Sequence, residues 1–220
     1  MIRRARTNIL VLLPNWIGDT VMATPVLRGL RRARPGARIT HMGVPGSLAV
    51  LVPDRWADDV LTDTSRQPPR LTNFWHLASQ LRRRRYDMAL LLPNSFRTAA
   101  LARAGGVKRV AGYDRDGRGW MLTDKLAPPR DEQGQLEPVP AIDYYLDLAR
   151  LVGADRCRPS RRMTLDVAPD DATAADALLA DAGADAARPL VMLNPGAAFG
   201  PAKMWSPARF AEVGDRLAAD

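Results

Sequence analysis

Cysteine and lysine are the scarce residues of this chain. A single cysteine, Cys157, rules out an internal disulfide framework and fits a reducing, cytoplasmic compartment. Only three of the 32 basic residues are lysine, so arginine carries the positive charge. The two histidines, His41 and His76, have no ligand-spaced partners, and no metal site is expected. No apolar run approaches the roughly 18–20 residues that span a bilayer. The opening MIRRARTNILVLLPN has the positive-then-apolar order of a signal peptide. Its apolar stretch, Ile9–Leu13, ends in Pro14-Asn15 with no small-residue cleavage site, so a buried first strand is the better reading. No G-x-G-x-x-G follows a strand, which argues against a dinucleotide enzyme. No Walker A loop is present either. Gly196 and Gly200 are wrongly spaced relative to Lys203, and Met204 stands where a Ser or Thr would hold magnesium.

What is there is a globular chain, 46% hydrophobic, with an uneven charge. Residues 1–165 hold 28 basic and 15 acidic residues, whereas residues 166–220 hold 4 and 9. A basic excess confined to the first segment attracts polyanions: nucleic acid, a phosphorylated glycolipid or an anionic membrane face. The plainer alternative is the solvated surface of an arginine-rich protein. Nucleic acid is not expected as a partner, because no recognised motif or aromatic stacking platform accompanies the charge.

Three segments repeat one pattern: an apolar strand, a Pro/Asn/Gly loop, then a helix. They are Ile9–Leu13 with Pro14–Asp19 and a helix over 20–32; Met88–Leu92 with Pro93-Asn94-Ser95 and a helix toward Ala104; and Leu190–Leu193 with 194–201 and a helix from Ser206. Continuous apolar runs alternating with helical periodicity indicate an α/β fold with a parallel sheet covered on both faces. Arg38–Val44 reads as another strand, Gly46–Val52 as a short helix, and 66–72, with Pro68-Pro69, as a loop. Asn73 is a candidate cap for a helix that buries Phe74, Leu77, Ala78 and Leu81 and ends at Arg82–Arg85. The segment 128–140 reads as irregular before a helix over 141–152, and Pro169 starts a helix running to Gly183. The resulting division is a first domain over 1–165, a linker helix over 166–187 and the start of a second domain over 188–220. A unit of ~35 residues buries too little surface to stand by itself, so either it docks on the first sheet or, the preferred reading, the second domain is truncated.

Ligands of such sheets bind outside the carboxyl ends of the strands, where all three loops fall. Asp19 stands at a helix entrance beside Gly18. It is either a simple helix cap or a carboxylate placed to accept a proton from a hydroxyl. The loop over 194–205 opens a helix after a strand, so its N–H groups and the helix dipole make an anion site. Lys203 adds a mobile point charge suited to a diphosphate. The other reading of this loop is a Gly/Pro turn with a solvated lysine.

The stretches NWIGDTVMATPVLRGLR, RRYDMALLLPNSFRTAALARAGGVKRVAGYDRDGRGWMLTD and LVMLNPGAAFGPAKMWSPARFAEV resemble, in order, the ADP-heptose:lipopolysaccharide heptosyltransferases of glycosyltransferase family 9. The resemblance implies a GT-B arrangement. An N-terminal Rossmann-like domain would hold the lipopolysaccharide core, and a second, of which this chain has only the first β-loop-α unit, would hold ADP-heptose. By motif, Asp19 matches the catalytic base, and Gly196, Ala197, Ala198, Gly200 and Lys203 match the donor loop. Asn15, Trp16, Asn94, Ser95, Arg97, Arg115 and Arg118 are candidate acceptor contacts. The resemblance further implies inverting transfer, with ADP-heptose as donor substrate and neither cofactor nor metal. It also implies a phosphorylated lipopolysaccharide inner core as acceptor and a cytoplasmic protein peripheral to an anionic inner membrane. The family's later D-S-G-x-x-H motif is absent, so this chain is expected to be inactive alone. A non-catalytic phosphoglycolipid-binding module, or another GT-B nucleotide-sugar enzyme such as an epimerase, stands as the alternative.

Overall fold

The computed structural model describes residues 6–154, 160–185, 187–196 and 204–219. It divides into two compact units, 1–168 and 169–220.

The first unit is built on six parallel strands: β1 (Asn8–Leu12), β2 (Arg38–Gly43), β3 (Asp59–Thr62), β4 (Met88–Leu91), β5 (Arg109–Tyr113) and β6 (Asp124–Leu126). They run in the order β3-β2-β1-β4-β5-β6. The helices are α1 (Ile17–Ala33), α2 (Pro45–Ala49), α3 (Arg70–Arg84), α4 (Phe96–Ala104) and α5 (Ala141–Leu151). Strand alternation explains why the buried positions of β1 and β4 are apolar on both faces. Ile9, Val11, Leu13, Met88 and Leu90 face a core completed by α1 and α5. Leu10, Leu12, Ala89 and Leu91 face a second core completed by α3 and α4. Gly105, just past α4, lets α3 and α4 approach, since a Cβ there would lie 2.7 Å from Leu81 Cβ.

Two expectations are corrected. The third helix begins at Arg70 rather than after Asn73, and Pro69 occupies the cap. Asn73 Nδ2 instead donates to the Gln67 carbonyl, at 3.0 Å. The apolar run 190–193 is exposed and joins no ladder among the described residues, because a parallel strand needs a neighbour to satisfy its backbone. The strands β3, β5 and β6 and the 3-10 turn Gly119–Met121 were not foreseen.

Away from the carboxyl edge, the buried His41 of β2 holds Asp54 through Nδ1, at 2.5 Å from Oδ2. The other oxygen, Asp54 Oδ1, accepts from the Trp56 and Ala57 amides. The second unit consists of α6 (Pro169–Asp181), α7 (Pro207–Ala219) and the segments around them. Neither helix has a buried residue.

Candidate functional site

Strand order reverses between β1, which runs into the chain's first crossover, and β4, which starts the second half of the sheet. A crevice forms at the carboxyl ends of these two strands because their following loops diverge to opposite faces. The loop after β1 is pinned from below. The Pro14 carbonyl accepts from the buried Thr20 hydroxyl at 3.3 Å and from the buried Ser47 hydroxyl at 2.6 Å. Trp16 takes the cap position of α1, and Asp19 sits in its first turn, half-buried. Asp19 is therefore not the cap. Among the described residues, no hydrogen bond or ion pair engages its carboxylate, and its charge helps raise the buried Tyr145 hydroxyl above the ordinary tyrosine value, after burial itself. A Cβ on Gly18 would meet nothing within 4 Å, so the backbone beside Asp19 is open to a ligand.

Beside this loop lies a cavity of about 280 Å³ lined by Asn15, Ser65, Arg66, Arg70, Ser95 and Arg97. It draws on the ends of β1, β3 and β4 and on the start of α3. Its wall is set by Asp63, only 6% exposed, which pairs with Arg97 at 2.7 Å. Asp63 also accepts from the Ser65 hydroxyl and amide, and Arg97 donates to the Ser65 hydroxyl as well. Arg97 is thus committed to Asp63 and shapes the cavity, while Arg66 and Arg70 are exposed, with no ion pair among the described residues. The Ser95 side chain caps α4 by accepting from Thr98 N. Three guanidiniums around one buried carboxylate leave a site of net positive charge that suits a phosphate or carboxylate.

A second cavity, about 350 Å³, lies at the ends of β4 and β5 and is lined by Asn94, Arg115, Leu136, Glu137, Tyr144 and Tyr145 among others. Arg115 leans on Asp116 at 3.5 Å and stays partly exposed. Arg118, expected among the acceptor contacts, is wholly buried. Its guanidinium donates to the carbonyls of Tyr113, Pro93 and Ser95, to Thr98 Oγ1 and to Asn94 Oδ1. A fork so fully used cannot also reach a ligand. Its role is to tie the loop after β4 to the loop after β5 and to hold Asn94, which lines the cavity. Burial pulls the Arg118 guanidinium below its ordinary value.

Asn15, Ser95 and Arg97 thus meet in one cavity, and Asn94 and Arg115 in another, while Trp16 is exposed at the cap of α1. Arg66, Arg70, Tyr144 and Tyr145 escaped sequence reasoning. The helical periodicity of 70–84, read one turn earlier, would have placed Arg70 at the carboxyl edge. Of the loop expected to hold the donor, Gly196 is described, its amide donating to Asn194 Oδ1 at 3.3 Å. Ala197, Ala198, Gly200 and Lys203, like Cys157, lie outside the described residues.

An open parallel sheet with its polar loops gathered where the strand order reverses is a Rossmann-like α/β lobe, and the solved structures that it matches include glycosyltransferases of family 9. The glycosyl transferase family 9 protein of Veillonella parvula superposes with a TM-score of 0.83 at 20% identity, over 96% of this chain and 60% of that one. The sequence profile of glycosyltransferase family 9 (heptosyltransferase) matches residues 74–220, and the chain belongs to that family. Lipopolysaccharide heptosyltransferase 2 of Salmonella typhimurium is 27% identical over 96% of this chain and 60% of its own length. The structure of Escherichia coli ADP-heptose LPS heptosyltransferase II matches with a TM-score of 0.73 at 25% identity, over 97% of this chain and 62% of that one. The chain therefore spans about 60% of the length of the relatives it matches.

Proposed function

We propose that this chain is the acceptor-binding part of a heptosyltransferase II-like enzyme. It would move heptose from ADP-heptose to the phosphorylated inner core of lipopolysaccharide at the cytoplasmic face of the membrane. The observation that carries this reading is the pairing, at one carboxyl edge, of an uncommitted half-buried carboxylate, Asp19, with an arginine-lined cavity. In the proposed inverting reaction, Asp19 accepts the proton of an acceptor heptose hydroxyl as that oxygen attacks the anomeric carbon of the donor. The bond to the diphosphate breaks as the new glycosidic bond forms, and ADP leaves with the electron pair. The segment from Gly196 to Lys203, leading into α7, is assigned to the departing diphosphate on the family's motif, through backbone amides and an ammonium. No metal enters this scheme. Arg66 and Arg70 would hold an anionic group of the core, with Arg97 and Asp63 fixing the wall against which it lies.

Transfer from ADP-heptose, measured in the intact gene product, provides the test. Asp19→Asn is expected to lower kcat about 10²–10⁴-fold while leaving ADP-heptose affinity unchanged. Arg70→Ala is expected to raise KM for a phosphorylated core several-fold and to leave a dephosphorylated core little affected. Wild-type turnover by Asp19→Asn would remove the base. Acceptor binding without any transfer would instead describe a binding module.

A further inference from the structure

The two faces of the sheet differ in what they show to their surroundings. On one, α1 and α5 mix signs, with Asp19, Asp143 and Asp147 among their arginines. On the other, α3 and α4 carry six arginines and no acidic residue; Arg84 is paired with Asp59 and Arg97 with Asp63, which leaves Arg70, Arg82, Arg83 and Arg103 without an ion pair among the described residues. The inward stripe of α3 is spent on the core through Leu77, Ala78 and Leu81. Its outward stripe begins with Leu71 and Trp75, one turn apart, which are 72% and 58% exposed. On the same side, Phe96 opens α4 and Trp120 follows β5, the latter 77% exposed, with ring centroids 6.3 Å apart. Large apolar side chains gathered on one cationic face mark an interaction surface.

We propose that the outward face of α3 and α4 docks on an anionic phospholipid bilayer, with Leu71 and Trp75 seated at the headgroup–acyl boundary and the exposed arginines against lipid phosphates. Indole suits that boundary because its ring is apolar and its N–H is a donor. Guanidinium forks suit phosphate, and their number sets the attraction to an anionic leaflet. A second copy of the chain fits poorly, since the face would meet its own charge. A polynucleotide fits less well than lipid, because Leu71, the most exposed side chain of the α3 stripe, offers no surface for base stacking. The first turns of α3 and α4 flank the cavity of Arg66, Arg70 and Arg97, so a lipid-anchored acceptor would enter beside the docked surface. Only in that last respect does the inference rest on the proposed function.

Vesicle flotation tests it, with neither donor nor acceptor present. The chain is expected to float with phosphatidylethanolamine vesicles containing phosphatidylglycerol, and at least about tenfold less with phosphatidylcholine vesicles or at high salt. The double variant Leu71→Ser/Trp75→Ser should lose about tenfold in partitioning at an unchanged thermal midpoint, because both side chains are exposed. Trp75→Phe should retain most binding. Equal flotation of the double variant, or equal flotation on neutral vesicles, overturns the proposal. So does a wild-type dimer in sedimentation that the double variant abolishes without any vesicle binding, or single-stranded oligonucleotide binding that it abolishes instead. Flotation that holds while Arg70→Ala leaves acceptor KM untouched would keep the docking face and reject the acceptor reading.

Discussion

Asp54 shows how one carboxylate can hold a loop that has no regular structure. Burial works to raise its carboxyl. The hydrogen bond and charge of His41, with the Trp56 and Ala57 amides, outweigh that and leave it below the ordinary value near 3.8. A group depressed by folding contributes stability that is complete above its unfolded value and fades as pH falls through the folded one. Removing the side chain also strands the buried His41 Nδ1 and two amides. Asp54→Ala should therefore lower stability at pH 7 by about 2–3 kcal/mol. The gap to wild type should shrink as pH falls below the ordinary carboxylate value and the wild-type carboxyl takes up its proton. Urea unfolding at neutral and acid pH measures both quantities. A gap of constant size would mean that the ionised form is not what holds the loop. Arg118 illustrates the same economy with the opposite charge. Its residue type pointed to a ligand, but only its position shows that it serves carbonyls.

At the scale of elements, the close approach of α3 and α4 is the contact most sensitive to a single methyl. Ala at 105 would suit the backbone and reduce the freedom of the unfolded chain, an effect that by itself stabilises by roughly 0.4–1 kcal/mol. The new Cβ, however, would stand 2.7 Å from Leu81 Cβ and 3.1 Å from the Leu101 carbonyl, neither of which can swing away. Gly105→Ala is expected to destabilise by about 1–3 kcal/mol through overpacking, read as a lower urea midpoint. A raised midpoint would mean that the two helices separate at no cost. The same elements show what the sequence could disclose. The strands β1 and β4 are buried on both faces, so they appear as unbroken apolar runs with Pro-Asn loops after them. The half-exposed β3, the three-residue β6 and β5, which opens on an arginine, carry too few apolar positions to stand out. Pro69 starts α3 where a Pro-Pro pair suggested only a loop, and that misreading hid Arg70. The position of Asn15, Ser95 and Arg97 at the carboxyl edge was legible because that rule needs only the strands they follow. Tyr144 and Tyr145 were not, since α5 returns to that edge from about 30 residues beyond β5.

For the whole molecule, burial is distributed as unevenly as charge. Every buried apolar side chain among the described residues lies between Ile9 and Ala154, in two clusters on either side of one sheet. In the second unit, α6 and α7 bury none, and the apolar run 190–193 is exposed throughout. Stability within one chain follows such differences, because a segment opens locally at a free energy set by the apolar contacts that it gives up. Helices of 13 residues held by backbone hydrogen bonds and little burial are marginal in water. Amides of β1 and β4 should then exchange with solvent only through global unfolding, with denaturant dependence matching the equilibrium m-value. Amides of α6 and α7 should exchange at least about 10³-fold faster and show almost no denaturant dependence. Hydrogen exchange of the intact 220-residue chain, resolved by mass spectrometry of its peptides, separates the two regimes. Protection in α6 that rises to the level of β4 would mean that the second unit draws on burial comparable to the sheet's, and the core would then have to be redrawn to include it.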